Sequence, residues 1–371
     1  MGNMRCLLVL LFFLNSVQGV KVKEIEIAGR KIGKNQKPFV IAEMSGNHNH
    51  SLERALQIVE AAAKSGADAL KLQTYTADTM TLNIQEGDFC ITDSTSLWKG
   101  QSLHKLYQKA YTPWEWHEAI FKRCDELGII CLSTPFDETA VDFLESLNAP
   151  CYKIASFESN HLPLLRKVAA TGKPIIMSTG MASIADLDEA VRTIREVGNN
   201  DIVLLKCTSS YPADPKDSNI FTIPHMKELF GCQVGLSDHT LGIGVSVASV
   251  ALGATVVEKH FTLCRADGGV DSAFSIEPHE LKSLVEETER AWQALGKVSY
   301  GPTKNEEKSS QFRRSLYIAQ DIKAGEILTG KNLRVVRPGY GLHPRYYEML
   351  LGKKVNCDIS KGTAVSWENI V

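Results

Sequence analysis

A series of apolar runs in this chain ends, one after another, in side chains that can carry chemistry. FVIAE (39–43) stops at Glu43, DALKLQ (68–73) contains Lys71, IICLST (129–134) ends at Thr134, and CYKIAS (151–156) carries Lys153 and Ser156. PIIMST (174–179) holds Ser178, and IVLLKCT (202–208) is followed by Ser209. VGLSDH (234–239) closes with Ser237 and His239, and TVVEKH (255–260) with Glu258 and His260. A lone buried lysine is costly unless paired or solvated. Lys71 and Lys153, aimed at one mouth with hydroxyls around them, make sense as ligands for an anion. Each serine taken singly is equally an ordinary cap for the helix that follows. His239 and His260 are neutral imidazoles that would leave most of a divalent ion's coordination sphere open to water and substrate. Two packed, hydrogen-bonded core histidines are the other reading. Glu43 and Lys71 can form a buried ion pair.

The elements that must position these groups follow from the pattern. Each run is nearly continuous in apolar residues, as in strands buried on both faces of a parallel sheet. Helical segments separate them, such as SLERALQIVEAAAKSG (51–66) and ASIADLDEAVRTIREVG (182–198), with apolar residues at helical spacing and a glycine after the last turn. Eight such units over about 250 residues predict an α/β fold, a (β/α)8 TIM barrel, whose strand ends converge on one catalytic rim. A doubly wound open sheet would call for a GxGxxG fingerprint, which is absent; GIG (242–244) reads better as a helix start. The expected organisation is a signal-like leader (1–19), a barrel (20–290), a linker (291–312) and a small β-rich tail (313–371). The connection 76–112 is long and weakly periodic, as lids and binding loops are. At about 60 residues the tail is near the lower limit for independent stability and should pack on a partner.

Composition narrows the classes. A formal net charge of -2 and the lack of a basic run argue against nucleic acid as a partner. Nine cysteines form no CxxC pair, and several lie in apolar runs, which suits a reducing compartment and predicts a cytoplasmic protein. MGNMRCLLVLLFFLNSVQG has instead the grammar of a secretory signal, too short to span a bilayer, so secretory entry stays open and no stable membrane partner is expected. In a secreted chain Asn49-His50-Ser51 would be a glycosylation acceptor.

The motifs IAEMSGNHN, KLQTY, STPFD, YKIAS, STGMAS, GLSDHTLG and EKHFT together resemble the sialic acid synthase family, over residues 22–371. The resemblance implies condensation of phosphoenolpyruvate with an N-acylated amino sugar to a nine-carbon 2-keto acid. It also implies that the tail is an SAF (antifreeze-like) domain reaching over the other subunit's barrel in a domain-swapped homodimer. On the same ground His239 and His260 would hold Mn2+ or Mg2+, and Lys71, Lys153, Ser156, Ser178 and Ser237 would bind phosphoenolpyruvate. Glu43 would handle protons beside the reacting carbons. Tyr211, Asp271, Thr134 and Ser209 correspond to sugar-side positions, with Asn47, His48 and Asn49 lining the pocket. Arg337 matches the arginine that reaches the partner subunit's sugar. Ser209 stands where siblings often carry asparagine. SLWKGQSLHKLYQKAYTPWEWHEAIF (96–121) and RPGYGLHP (337–344) resemble a branch that accepts a 2,4-diacetamido-2,4,6-trideoxyhexose. Trp114 and Trp116, after Pro113, are expected to pack the outside of the barrel. The rivals are a sibling synthase using another sugar, and a secreted, catalytically idle binding protein.

Overall fold

The computed structural model describes residues 22–93 and 98–371. The expected leader lies outside the described residues. Two compact units divide the chain, one ending at Gly296 and the other running from Lys297 to Val371.

The first unit is a closed barrel of eight parallel strands: β1 (Phe39–Glu43), β2 (Ala69–Thr74), β3 (Ile130–Pro135), β4 (Tyr152–Ile154), β5 (Ile175–Ser178), β6 (Ile202–Cys207), β7 (Gln233–Asp238) and β8 (Val256–His260). Each lies within a residue or two of its apolar run. Neighbours pair in sequence order, and β8 returns to β1 with His260 beside Glu43. The runs read as continuously apolar because both faces are covered. Inside, Phe39, Ile41, Leu132, Ile176, Val203, Leu205 and Val256 form one core. Outside, alternate residues such as Val40, Leu70, Ile154 and Leu204 pack under the helices. Gly235 permits close approach, since a Cβ there would stand 2.2 Å from the Val256 carbonyl oxygen.

The sequence pattern had not suggested a hairpin before the barrel. Ile25–Ile27 pairs antiparallel with Arg30–Ile32 through Ala28 and Gly29, both at positive φ. Ile25, Ile27 and Ile32 join the interior core.

Helices follow the strands as their caps dictate. α1 (Leu52–Lys64) starts on Ser51, whose Oγ accepts the Arg54 amide at 3.2 Å, and buries Ala55, Ile58, Val59 and Ala62. The connection 76–112 contains a further helix, α2 (Leu103–Ala110), capped by Ser102 and tied down by His104, whose Nε2 is 2.8 Å from Asp78. It has only eight residues, half of them polar, so the periodicity is too short to read. Later helices include α3 (His117–Glu126), α4 (Ile184–Glu196) and α5 (Gly244–Ala251), the last opening at GIG. The final barrel helix, α6 (Pro278–Leu295), runs past residue 290 because Ala291 and Trp292 pack against the outer core and the Trp292 indole donates to the Lys34 carbonyl at 3.0 Å. Trp114 stacks on Phe143 at 4.7 Å and Trp116 packs edge-on to His48.

The second unit has its own core, with Leu316, Ile318, Leu333, Leu350 and Val355 buried around the antiparallel pair β9 (Ser315–Ile318) and β10 (Leu333–Val336). No helix among the described residues is long and apolar enough to cross a membrane. The eight described cysteines are unpaired.

Candidate active site

Period-two alternation puts residues i and i+2 of a strand on one face. Lys71 and Gln73 therefore point inward together, as do Glu258 and His260, and the inward positions near the strand ends meet at the rim.

Lys71 lies at the centre. Its Nζ is 2.9 Å from Glu258 Oε1 and 3.1 Å from Glu43 Oε2, all three groups being buried. Burial alone would lower the Lys71 pKa, but Glu258 and Glu43 outweigh it and keep the ammonium charged. Lys153 donates to Ser178 Oγ at 2.7 Å and stands 3.4 Å from the same Glu258 oxygen. Burial lowers its pKa, with Glu258 opposing. Ser237 donates to Glu258 at 3.3 Å. Two cations and two hydroxyls thus surround a carboxylate, an arrangement able to receive a further anion.

Ser156 and Ser209 meet across Gly180. The Gly180 amide donates to Ser156 Oγ at 3.0 Å, and a Cβ on that glycine would fall 2.7 Å from Ser156 Oγ and 2.2 Å from Ser209 Oγ. Thr134 is fully buried, and its hydroxyl has no hydrogen-bond partner among the described residues.

A second line of contacts leaves Glu43. Gln73 Nε2 donates to Glu43 Oε1 at 2.7 Å and lies 3.1 Å from Ser45 Oγ. Ser45 in turn donates to Asp271, whose Oδ2 is 4.0 Å from His260 Nδ1. Burial raises the Asp271 pKa against these hydrogen bonds.

The His239 and His260 rings lie 5.3 Å apart. Tyr211 sits 4.4 Å from His239, Phe274 5.0 Å from His260, and Trp98 6.3 Å from Tyr211, forming an aromatic wall. His239 Nδ1 is 2.9 Å from the Thr208 carbonyl, which makes it the donor nitrogen and leaves Nε2 free to accept or ligate. His260 Nδ1 is buried without a hydrogen-bond partner among the described residues. Burial, with His239 and Lys71 nearby, keeps that ring neutral. Burial lowers the His239 pKa, but Cys207, whose Sγ is 3.9 Å from Nδ1, and the Thr208 carbonyl outweigh it and raise it. With its proton on Nδ1 only, His239 could join His260 in holding a divalent ion. No group of three or more His, Cys, Asp or Glu side chains suited to a metal occurs among the described residues, so water and substrate would have to complete the shell.

Asn47 and its neighbours are placed as ties. Asn47 Nδ2 donates to the Phe261 carbonyl at 2.9 Å and to Ser275 Oγ at 2.8 Å, while its Oδ1 has no partner among the described residues. His48 Nδ1 accepts the His50 amide, and Asn49 donates to the Gly268 carbonyl. Arg337 lies exposed in the second unit, after β10.

Four residues of this site carry no role in the sequence reading: Glu258, named there only as a strand-end group, and Gln73, Ser45 and Gly180. The i, i+2 relation to His260 and Lys71 was a usable signal for the first two. Nothing local marks Ser45 or Gly180, whose roles arise from contacts distant in sequence.

A closed barrel with lysines, carboxylates and imidazoles on its strand-end rim defines a barrel enzyme, and the comparisons give its family. The NeuB family profile matches residues 58–300, and the SAF domain matches residues 313–371. The chain is 44% identical over 331 residues to the pseudaminic acid synthase of Campylobacter jejuni subsp. jejuni, covering 89% of this chain and 96% of that one. It is 43% identical over 337 residues to the pseudaminic acid synthase of Helicobacter pylori, covering 90% and 98%. Among solved structures, the N-acetylneuraminic acid synthetase of Leptospira borgpetersenii aligns with a TM-score of 0.70 at 31% identity, covering 78% of this chain and 95% of that one. The chain belongs to the NeuB family.

Proposed function

We propose that the chain is a pseudaminic acid synthase. It condenses phosphoenolpyruvate with 2,4-diacetamido-2,4,6-trideoxy-L-altrose and water, giving pseudaminic acid and phosphate. The observation that carries this reading is the convergence of Lys71, Lys153 and Glu43 beside two imidazoles 5.3 Å apart, in a chain 44% identical to a named pseudaminic acid synthase over most of its length.

Lys71 and Lys153 bind the carboxylate and phosphate of phosphoenolpyruvate, with Ser156, Ser178 and Ser237 donating hydroxyls. The enol carbon attacks C1 of the open-chain sugar, forming the C–C bond as the aldehyde oxygen takes up a proton. Water adds at C2, and phosphate leaves by C–O cleavage. A divalent Mn2+ or Mg2+ held by His239 and His260 would polarise the aldehyde oxygen when bound. Glu43, with a pKa raised by burial to about 7, can give or accept the proton at the reacting carbons. Asp271, Tyr211, Thr134 and Ser209 face the sugar. Arg337 of one subunit completes the site of its partner in a homodimer, a reading supported by the SAF match and by Arg337 lying exposed in a unit with its own core. The eight described cysteines, none of them paired, and a phosphorylated central metabolite as substrate support a cytoplasmic location.

The test is phosphate release by leader-free protein with Mn2+ and phosphoenolpyruvate, offering the L-altro sugar, its legionaminate-precursor counterpart and N-acetylmannosamine in parallel. Turnover with the L-altro sugar alone is expected. Preference for another sugar replaces the substrate, and silence with all three overturns the enzymatic reading.

A further inference from the structure

Outside the barrel, behind the two imidazoles, lies a polar cluster that the reaction above does not use. Ser237 and Glu258 are register partners that touch inside the barrel. Their neighbours Asp238 and Lys259, also register partners, therefore point to the opposite face, where α5 packs. Lys259 Nζ is 2.9 Å from Asp238 Oδ2, and both side chains are 1% exposed.

The cluster grips the backbone on either side of His239. Asp238 Oδ1 accepts the Thr240 amide at 2.9 Å and the Thr240 hydroxyl at 2.8 Å, closing a turn that has His239 at its apex. Lys259 Nζ donates to the Thr240 carbonyl at 2.6 Å, so the residue before His260 holds the residue after His239. Ser246, on α5, donates to Asp238 Oδ2 at 2.6 Å and fixes the carboxylate from the helix side. All four residues are buried.

An ion pair at this depth is a weak device for stability alone, because desolvation of both charges offsets most of their attraction. Its particular value here is geometric. The geometry points to Asp238 and Lys259 as positioning residues that set the separation and aim of His239 and His260, and so the affinity of the two-imidazole site for a divalent cation. This inference rests on the reading of the two histidines as metal ligands. Neither residue touches substrate; each acts through the backbone of a histidine.

Mn2+ affinity of the full-length protein, measured by electron paramagnetic resonance titration in the absence of substrates, tests it. In the Asp238→Asn/Lys259→Met double variant, which removes both charges together, Mn2+ binding is expected to weaken by about 10-fold or more, the usual scale for loss of the groups that orient a metal ligand. Metal-free phosphoenolpyruvate affinity should stay near wild type. Lys259→Arg, which keeps the charge, should retain most of the Mn2+ affinity. A folded double variant that binds Mn2+ like the wild type overturns the proposal while leaving the histidine reading intact. If the wild type itself binds no Mn2+, or if His239→Ala binds it unchanged, the histidine reading falls and this inference with it. Should the double variant fail to fold, Ser246→Ala/Thr240→Val keeps both charges and removes two hydroxyls that orient Asp238. Several-fold weaker Mn2+ binding supports the inference there, and unchanged binding overturns it.

Discussion

Glu43 and Glu258 share the ammonium of Lys71, at 3.1 and 2.9 Å, yet have opposite acidities. Burial raises Glu43 to about 7, with Lys71 offsetting only part and the charge of Glu258 adding to the rise. Burial pushes Glu258 upward too, but Lys153 and Lys71 together outweigh it and hold that carboxyl at about 2. One carboxylate is thereby kept ionised between the lysines while the other can exchange a proton near neutral pH. Glu43→Gln is expected to lower kcat by roughly 10²–10⁴-fold, the usual scale of acid–base contributions. The KM for phosphoenolpyruvate should change little. Steady-state kinetics with both substrates check this.

The same shift makes a stability prediction. Glu43 binds its proton more tightly in the folded chain, with a pKa of about 7 against a reference of 4.5. Its contribution is fully present below pH 4.5 and is lost as pH rises through 7, on the order of 3 kcal/mol across that window. Urea unfolding of metal-free protein at pH 5 and pH 8 measures the slope, and Glu43→Gln should be flatter than the wild type.

Gly180 provides space for two serines of the site. Its replacement by alanine places a methyl group 2.2 Å from Ser209 Oγ and 2.7 Å from Ser156 Oγ, so both hydroxyls must move. Gly180→Ala is expected to raise the KM for phosphoenolpyruvate more than about tenfold, as small displacements of positioning groups do. The Tm should fall by only a few degrees. A normal KM would separate Ser156 from phosphoenolpyruvate binding.

Chelation should abolish phosphate release, and Mn2+ or Mg2+ should restore it in the wild type but not in His239→Ala. The Nδ1 of His239, engaged by the Thr208 carbonyl, and the Nδ1 of His260, without a hydrogen-bond partner among the described residues, lead to this expectation. Undiminished activity of His239→Ala in chelator would remove the metal from the mechanism.

Subunit mixing tests the role of Arg337. His239→Ala and Arg337→Ala proteins are each expected to be nearly inactive. In mixed dimers one site combines an intact barrel with an intact partner tail, so random mixing should recover about a quarter of wild-type activity. No recovery after exchange would place Arg337 in the site of its own subunit.

The barrel was legible because its strands are buried on both faces, so each appears as an unbroken apolar run such as IVLLKC, with glycine-ended amphipathic helices between. The hairpin at Ile25–Ile27 was not, since three-residue strands carry too little periodicity. Much of the site could be listed from strand ends, Glu43, Lys71, Lys153 and His260 among them. The donor side of Asn47, expected to line the sugar pocket, also ties its turn to Phe261, 214 residues away in sequence, a contact no local pattern announces.

Sequence by itself determined which residues reach the rim, because alternation along a strand and the closure of eight strands leave little choice. Only tertiary structure decided what those residues do to one another. The doubling of Lys71 and Lys153 on Glu258, the contrast between two carboxylates on one ammonium, and the fit of Ser156 and Ser209 around Gly180 depend on distances across the barrel. Hydrogen bonds and steric contacts at 3 Å require that separation, which residues far apart in sequence reach only in the folded barrel, so no local pattern along a chain encodes them.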